Sequence, residues 1–204
     1  MNNKYSTLKY NSKARWLSYW YQIDETVSRR PGNILIIGKG SGIVEDSIAS
    51  LAPEMKITTI DIDPALSPDV IGDIRSMPFE KSSFDCLICC QVLEHIPFDQ
   101  MDTVLSGFSN TVRDFAIISV PHRRKHIKLE IDAPFIGNKT IILKYPFMKR
   151  TIRSSQHFWE INRGISYGSF IKVLRKYFVI EKTFLNEVNC THRFFILKKP
   201  EGTR

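Results

Sequence analysis

The chain has 204 residues, of which 43% are hydrophobic and 25% are charged, and its formal net charge at pH 7 is +8. These proportions are typical of a globular protein, and the length suits one α/β domain. No apolar run is long enough to span a bilayer, and residues 1–10 lack the apolar core of a secretory signal. We therefore expect a cytoplasmic protein without a transmembrane segment.

The charge is unevenly distributed along the chain. Residues 1–120 contain 11 Lys and Arg against 15 Asp and Glu, a balance of −4, whereas residues 121–204 contain 18 against 6, a balance of +12. A solvated basic face would explain this asymmetry, but it more often indicates an anionic partner. The candidates are a phosphorylated or carboxylated metabolite, a nucleic acid and an acidic membrane surface.

Aromatic residues recur at helical spacing near the start of the chain. Trp16, Tyr19 and Trp20 lie in a segment whose pattern predicts a helix over Lys13–Val27. A stripe of this kind either packs into a core or covers a substrate site. Both interpretations stay open.

The next stretch, residues 34–42, reads ILIIGKGSG. This pattern predicts a buried parallel strand that ends in a tight glycine turn, and residues 43–51 predict a short amphipathic helix. Glycine permits dihedrals that a Cβ opposes, and it lets a ligand touch the backbone. A second strand over 57–60 ends at Asp61, whose carboxylate faces the same crevice in a doubly wound sheet and can accept two ribose hydroxyls.

The later segments continue the alternation of strands and helices. Only eleven residues separate Asp61 from Asp73, and two of them are proline, so the second crossover has no room for a full helix. Such alternating elements specify a parallel sheet with right-handed crossovers. The predicted strands are 70–73, 84–90 and 115–120, and a helix is predicted from 97–99 to about 112. A hairpin or lid is predicted within 127–147, with its turn at Gly137-Asn138. The last predicted elements are a helix over 167–177 and an antiparallel strand pair, 178–184 and 192–198.

Five motifs occur in order between residues 33 and 122. They are GKGSG at 38–42, DIDP at 61–64, GDIRSMPF at 72–79, SFD at 83–85 and QVLEHI at 91–96. This series resembles class I S-adenosylmethionine-dependent methyltransferases, most closely the small-molecule (type 11-like) branch whose fourth strand ends in EVLEHI. The resemblance implies a Rossmann-like, doubly wound α/β fold with a seven-stranded sheet, mostly parallel with an antiparallel C-terminal strand.

The resemblance also implies a site for S-adenosyl-L-methionine. The glycines approach the methionine part of the cofactor, Asp61 holds the ribose, and Asp73 with Ile74 meets the adenine. The predicted cofactor-binding residues are Gly38, Lys39, Gly40, Gly42, Asp61, Ile62, Asp73, Ile74 and Gln91. The single domain divides into a helical cap (1–32), a cofactor-binding half (33–122), a substrate-side insert or lid (123–162) and a C-terminal helix and strand pair (163–204).

One position departs from the family pattern. Ile36 stands two places before the first glycine, where the family usually carries an acidic residue, and Lys39 is unusual inside the turn. Either Glu94 or Asp46 compensates, or the fold keeps its shape and loses affinity. The ribose and adenine positions both survive, which favours retained binding.

Several polar residues near the strand ends are candidates for acceptor chemistry. His122 follows the fifth predicted strand and is either a base for a hydroxyl or amine or a surface histidine in a basic loop. His157 and Glu160 lie in a cluster with two aromatics, which forms a pocket wall or anchors a lid. The predicted catalytic residues are therefore His122, His157 and Glu160. The substrate-binding candidates are Tyr19, Trp20, His95, Arg123 and Trp159. Tyr19 and Trp20 are included because a helix before the first strand covers the active site in related methyltransferases. His95 also suits a structural or cofactor-side role.

No metal site is expected from the sequence. Cys86 and Cys89 form a C-x-x-C inside an apolar strand, without a second pair or a histidine set, so the pattern predicts buried free thiols. Methyl transfer from a sulfonium requires no metal.

These observations favour methyl transfer to an oxygen, nitrogen or carbon of a small or lipid-linked, anionic acceptor. One alternative is an RNA-binding methyltransferase or RNA-binding module that uses the basic C-terminal half. Against it, residues 91–94 read QVLE where a tetrapeptide of the Asn/Asp-Pro-Pro-Tyr type would mark methylation of base amino groups. A second alternative, motivated by Ile36, is a non-catalytic cofactor-binding scaffold. A nicotinamide dehydrogenase is disfavoured by the glycine spacing, and the sequence assigns no oligomeric state.

Overall fold

The computed structural model of the chain describes residues 5, 7–123, 126–135, 137–144 and 156–200. This part of the chain forms helices and strands in alternation. The helices are α1 Lys13–Val27, α2 Ile43–Leu51, α3 Met101–Thr111 and α4 Tyr167–Tyr177. The strands are β1 Asn33–Ile37, β2 Lys56–Asp61, β3 Val70–Ile71, β4 Phe84–Cys90, β5 Val112–Pro121, β6 His126–Ala133, β7 Gly137–Lys144, β8 Glu160–Ile161, β9 Gly164–Ile165, β10 Val179–Leu185 and β11 His192–Lys198.

Seven strands form one sheet in the order β10-β11-β5-β4-β1-β2-β3. β1 pairs in parallel with β2 and β4, and β4 with β5, whereas β11 is antiparallel to both β5 and β10. The chain passes from β1 outward to β2 and β3 and then returns to β4 on the other side of β1, so a crevice opens at the carboxyl ends of β1 and β4. The predicted doubly wound, mostly parallel α/β fold is confirmed.

The central strands are buried on both faces. Along β1, Ile34 and Ile36 belong to the hydrophobic cluster that packs against α1 and α2, whereas Leu35 and Ile37 belong to the cluster that packs against α3 and α4. A strand covered on both faces is apolar at successive positions, which explains the unbroken run of aliphatic residues.

The C-x-x-C sequence lies on β4 and follows the same alternation. Cys86 belongs to the cluster under α1 and α2, and Cys89 belongs to the one under α3 and α4. The two side chains therefore point to opposite faces of the sheet. Both are free thiols whose pKa is raised by burial, as the sequence predicted.

Some element bounds differ from the predictions. β5 is longer than predicted because its pairing extends from Val112, opposite β4, to Pro121, opposite β11. α3 begins at Met101, since Phe98–Gln100 forms a separate 3-10 turn after a proline. The helices over 13–27, 43–51 and 167–177 begin and end as predicted. Among the described helices, none has the length and apolar character needed to cross a bilayer.

The connection from β2 to β3 is as short as predicted. It contains one 3-10 turn, Pro64–Leu66, and the Asp63 side chain accepts a hydrogen bond from the Ala65 N–H at 2.9 Å. β3 contributes only Val70 and Ile71 to the sheet, because only these residues pair with β2.

β6 and β7 form the predicted antiparallel hairpin, but its turn lies earlier than predicted. Ala133 pairs with Gly137, so the loop comprises residues 134–136 and Gly137 is the first residue of β7. Gly137 has a φ of 66°, a left-handed conformation that glycine adopts without the strain of a Cβ. A parallel pair of two-residue strands, β8 and β9, was not predicted, because such short strands show no periodicity.

Candidate functional site

A cavity of about 1070 Å³ lies at the carboxyl ends of β1, β2, β4 and β5. Its walls come from the glycine turn after β1, the residues that follow β2 and β4, helix α1, and residues 156–158 and 160 of the insert. Small-molecule sites commonly enclose roughly 300–1,000 Å³. The cavity can therefore hold a nucleoside-sized ligand together with a second small molecule.

The turn after β1 presents backbone to this cavity. Gly38, Gly40 and Gly42 have φ values of 81°, 57° and 76°, which other residues adopt only with strain. A Cβ on Gly38 would lie 2.5 Å from Val92 Cγ2, so this position requires glycine for packing as well. Gly38 and Gly40 line the cavity, whereas Gly42 lies behind them as the N-cap of α2.

Asp61 ends β2, and the backbone holds its carboxylate in place. Oδ2 accepts a hydrogen bond from the Lys39 N–H at 2.9 Å, and Oδ1 accepts one from the Asp63 N–H at 3.0 Å. A carboxylate has about four lone-pair positions, so each oxygen retains capacity for a further donor. Since Asp61 lines the cavity, it can accept two hydroxyl groups of a ligand. Ile62 follows it at the cavity wall with 67% of its surface exposed.

The unusual Lys39 directs its ammonium group away from the glycines. Nζ donates a hydrogen bond to the Ser67 carbonyl at 2.9 Å and lies 3.3 Å from Glu45 Oε2. The ammonium group therefore links α2 to the loop after β2. The backbone of Lys39, and not its ammonium group, is therefore what a ligand in the cavity can contact.

Asp73, Ile74 and Gln91 line the cavity beyond Asp61. Arg75 donates hydrogen bonds to Asp73 from its side-chain Nε at 3.0 Å and from its backbone N–H at 2.9 Å. The side-chain hydrogen bond from Arg75 holds the pKa of Asp73 below its usual value. Gln91 has a left-handed φ of 58° and is fixed by two hydrogen bonds to Ser119, one to its carbonyl at 2.8 Å and one to its hydroxyl at 3.2 Å.

Ile36 stands where the family usually carries an acidic residue, and Glu94 and Asp46 were the two candidates to compensate for it. Of these two, only Glu94 lines the cavity. Asp46 is exposed on α2, whereas Glu94 is only 1% exposed. The pKa of Glu94 is raised to about 8, chiefly by burial and to a lesser extent by the nearby Glu160, whereas a backbone hydrogen bond and Arg15 oppose the rise. Glu94 is therefore a buried carboxyl group near Arg15 and Glu160, at one end of the cavity.

The insert brings three predicted residues together at this end. Glu160 is buried and lies within ion-pair distance of His157 Nδ1 at 3.0 Å, Arg123 Nε at 3.2 Å and Arg163 Nη1 at 3.2 Å. The ring of His157 contacts the ring of His95 edge to face, with 5.0 Å between centroids. His95, Arg123, His157 and Glu160 all line the cavity.

His122 is buried in the wall of the cavity and is held by side chains from two other segments. It follows β5, is 5% exposed, and its Nδ1 accepts a hydrogen bond from Arg193 Nε at 2.7 Å. Its Nε2 lies 3.0 Å from the Asn162 side-chain amide. Because protein groups engage both ring nitrogens, His122 ties β11 and the insert to β5. It is not a surface histidine, because it is buried in the wall of the cavity, and its role as a base stays a prediction.

The glycine turn and the carboxylates after β2 and β4 have counterparts in known proteins. Residues 35–114 match the protein family described as "Methyltransferase domain". This part of the chain is similar to methyltransferase domains. The match confirms the predicted recognition as a class I S-adenosylmethionine-dependent methyltransferase, and with it the enzyme class and the cofactor. No curated protein matches the sequence.

Solved structures share the fold of this methyltransferase over most of its length. The PH0226 protein from Pyrococcus horikoshii has a TM-score of 0.65 at 13% identity, covering 97% of this chain and 94% of its own. A Burkholderia thailandensis 1,6-didemethyltoxoflavin-N1-methyltransferase with bound 1,6-didemethyltoxoflavin and S-adenosylhomocysteine has a TM-score of 0.62 at 14% identity, covering 93% of this chain and 79% of its own. The small RNA methyltransferase HEN1 has a TM-score of 0.64 at 15% identity, covering 93% of this chain and 26% of its own. At these identities the similarity shows the fold and leaves the acceptor undetermined.

The methyltransferase does not bring all the predicted substrate residues to its cavity. Tyr19 lines it and donates a hydrogen bond from its hydroxyl to Asn11 Oδ1 at 2.9 Å. The next residue, Trp20, lies on the outer face of α1 with 52% of its surface exposed. Trp159 is 3% exposed and donates its indole N–H to the Ile96 carbonyl at 2.8 Å. Trp159 is therefore part of the core and does not form a stacking surface.

Tyr10, Arg15 and His192 are among the cavity residues that were not predicted from the sequence. Arg15 donates a hydrogen bond from Nη1 to the Tyr10 hydroxyl at 3.0 Å, and its guanidinium carbon lies 3.9 Å from the centre of that ring. Burial raises the pKa of Tyr10 to about 12. The helical pattern included Arg15, but no local signal distinguishes an arginine that covers a cavity from one in solvent.

His192 makes the stability of the methyltransferase depend on pH. Its Nδ1 lies 3.0 Å from Ser18 Oγ, and burial lowers its pKa to about 3. A histidine in the unfolded chain has a pKa of about 6.5, so between these values the unfolded state binds a proton that the folded state does not. We expect this group to reduce the free energy of unfolding by about 2 kcal/mol when the pH falls from 7 to 5.

Urea unfolding of the wild-type chain and of His192→Gln at both pH values measures this contribution. Since glutamine does not titrate, the variant is expected to lose less stability between pH 7 and pH 5 than the wild type does. An equal loss in both proteins would show that His192 is not the group responsible.

Proposed function

We propose that the chain transfers the methyl group of S-adenosylmethionine to a small or lipid-linked anionic acceptor. The observation that carries this proposal is that one cavity has two chemically different ends. One end contains the glycine turn and Asp61, which suit the cofactor. The other contains Arg15 and Arg123, which suit an anionic acceptor.

The residues at the first end fit the cofactor. A Cβ on Gly40 would have no atom within 4 Å, so a ligand can approach the backbone closely there. In our assignment the glycine turn contacts the methionine part, and Asp61 accepts the two ribose hydroxyls. Asp73 and Ile74 meet the adenine, and Gln91 is fixed beside the methionine part by Ser119.

Arg15 supports an anionic acceptor. Within the described part of the chain it contacts the phenol and ring of Tyr10 rather than a carboxylate. Its charge is therefore available to a ligand, with which it can form charge-assisted hydrogen bonds. Arg123 differs, because it pairs with Glu160 at 3.2 Å and stabilises the wall of the same end.

The protein's contribution to the reaction is orientation. Bound S-adenosylmethionine supplies a methyl group that is already activated on a sulfonium, so holding the acceptor in line behind it provides much of the rate enhancement. Tyr19 connects α1 to the glycine turn through Ser41 Oγ, 3.4 Å from its hydroxyl, and thereby covers the cavity. The pair of His157 and Glu160, whose side chains lie 3.0 Å apart, forms part of the cavity wall at the acceptor end.

Transfer of label from methyl-labelled S-adenosylmethionine tests this proposal. The purified chain would be incubated with a nuclease-treated small-molecule extract or with total RNA. We expect label in small anionic products that an anion exchanger retains. Replacing Arg15 by glutamine should reduce this labelling about tenfold or more while leaving S-adenosylhomocysteine affinity nearly unchanged. Arg175→Gln, at an exposed position on α4, is the matched control and should behave as the wild type.

RNA is the second candidate acceptor. The balance of +12 over residues 121–204 favours it, because basic surfaces bind the phosphate backbone. Binding of this kind weakens steeply with salt, whereas a buried small-molecule site is less sensitive. Label found in RNA alone, together with salt-dependent retention of RNA, would replace the small-molecule proposal.

A further inference from the structure

Three potential metal ligands meet at the acceptor end of the cavity. Glu94 and His95 belong to the 3-10 turn after β4, Leu93–His95, and His157 comes from the insert. One ligand atom from each lies within 4.8 Å of the others. Glu94 is buried, His157 is half-buried and His95 is exposed, so this cluster has one buried side and one open side.

Both histidines have their Nδ1 atoms held by groups that only accept hydrogen bonds. His95 Nδ1 lies 2.9 Å from the Gln156 carbonyl oxygen, and His157 Nδ1 lies 3.0 Å from Glu160 Oε1. Each contact requires the proton on Nδ1, which leaves the lone pair of a neutral ring on Nε2. Metal-ligating histidines are typically oriented in this way by a carbonyl or carboxylate.

Glu94 provides a second and independent observation. It is 1% exposed, and among the described residues its Oε2 has no hydrogen-bond partner although the atom is buried. A buried carboxyl oxygen without a hydrogen-bond partner is unfavourable in either protonation state. A cation beside the two imidazoles would supply the missing partner.

The backbone fixes the two segments that supply the ligands. The Phe158 N–H donates a hydrogen bond to the Glu94 carbonyl at 2.9 Å, and Trp159 donates its indole N–H to the Ile96 carbonyl at 2.8 Å. The insert is therefore joined to the turn after β4 on either side of His95. Only the side chains need to move, by about 1 Å or so, to bring ligand atoms to the separation of about 3.4 Å expected around a cation with bonds near 2.1 Å.

The geometry points to a binding site for a first-row divalent cation, ligated by Glu94, His95 and His157. Two imidazoles and one carboxylate occupy one face of such a cation and leave other positions open. Arg15 lines the same cavity as these three residues. Resting on the proposed function, we assign the acceptor as a hydroxyl compound whose oxygen occupies an open position.

This assignment selects oxygen as the atom methylated. A divalent cation lowers the pKa of a bound hydroxyl. The hydroxyl proton leaves to water, the oxygen forms a bond to the methyl carbon, and the electron pair of the methyl–sulfur bond remains on sulfur. Glu160 acts as a positioning residue, because its carboxylate orients His157 and is itself paired with Arg123 and Arg163.

Titration of the purified chain with Zn²⁺ by calorimetry and with Mn²⁺ by electron paramagnetic resonance tests the site without any acceptor. We expect one cation per chain. His157→Gln should weaken the affinity about a hundredfold or more, and Glu160→Gln about tenfold or more. His126→Gln removes a histidine that is not one of the three ligands and is the matched control, with affinity equal to that of the wild type.

The same proteins are titrated with S-adenosylhomocysteine, which separates this inference from the proposed function. Retained S-adenosylhomocysteine binding with selective loss of the cation in the two variants supports the site. Absence of cation binding to the wild type, or equal affinity in His157→Gln, overturns it whether or not the cofactor binds. If His157→Gln loses both ligands, Glu160→Gln decides, because unchanged cation affinity there overturns the assignment.

Discussion

Replacing Asp61 by alanine is expected to reduce the affinity for S-adenosylhomocysteine about a hundredfold or more. In our assignment its carboxylate accepts two ribose hydroxyls, and each hydrogen bond to a charged group contributes roughly 1.5–3 kcal/mol. The sum, about 3 kcal/mol or more, corresponds to at least two orders of magnitude in the dissociation constant. Calorimetric titration of the wild type and the variant measures this change.

The control for this experiment is the neighbouring acidic residue. Asp63 also lines the cavity, but its side chain caps the 3-10 turn by accepting from the Ala65 N–H at 2.9 Å. Asparagine can accept the same hydrogen bond, so Asp63→Asn should bind S-adenosylhomocysteine within about threefold of the wild type. Similar losses in both variants would mean that Asp61 supports the turn and does not contact the ribose.

Replacing Gly38 by alanine is expected to lower the free energy of unfolding by roughly 2–5 kcal/mol. Its φ of 81° is unfavourable for a residue with a Cβ, which costs roughly 1–2 kcal/mol. The new Cβ would also lie 2.5 Å from Val92 Cγ2, and overpacking of this kind typically costs about 1–3 kcal/mol. Urea unfolding of the variant measures the sum.

Variants at Gly40 and Val92 distinguish the conformational cost of the substitution at Gly38 from its packing cost. Gly40 has a φ of 57°, but a Cβ there would meet no atom within 4 Å. Gly40→Ala should therefore lose only the conformational part, roughly 1–2 kcal/mol. In a double-mutant cycle, Val92→Ala should recover part of the stability lost in Gly38→Ala. If Gly38→Ala and Gly40→Ala lose equal stability, or if no coupling to Val92 is found, the proposed close contact is wrong.

The fold and the cofactor half were predictable because their signals are local. The aliphatic run of β1 gives a strand buried on both faces, and alternate glycines after it give a turn that other residues adopt only with strain. Asp61 follows the next apolar run directly. Since parallel strands end at one edge of the sheet, sequence order alone brings the glycines and this carboxylate together.

The acceptor side was less predictable because its contacts join distant segments. Phe158 and Trp159 are adjacent, yet Phe158 is 66% exposed and Trp159 is 3% exposed, and no periodicity in so short a segment indicates which one faces the core. The sequence predicted no metal site, because Cys86 and Cys89 lack the second cysteine pair or histidine set of such a site. Glu94 and His157 come together only when the insert folds against the turn after β4.

The side-chain orientations on α1 were also not predictable from the sequence. The aromatic pattern correctly predicted the helix over Lys13–Val27. It did not reveal that Tyr19 faces the cavity while Trp20 faces outward. The orientation depends on packing against Ser41 and on the contact between Ser18 and His192, which are remote from the helix in sequence.

The most direct test of the central claim is calorimetric titration of the wild-type chain with S-adenosylhomocysteine, with NAD as the control ligand. The glycine turn, Asp61 and the pair of Asp73 and Ile74 predict binding of one S-adenosylhomocysteine per chain with a dissociation constant on the order of micromolar, and no binding of NAD. Absence of S-adenosylhomocysteine binding, or preferential binding of NAD, would contradict the assignment of this cavity to a methyltransferase cofactor.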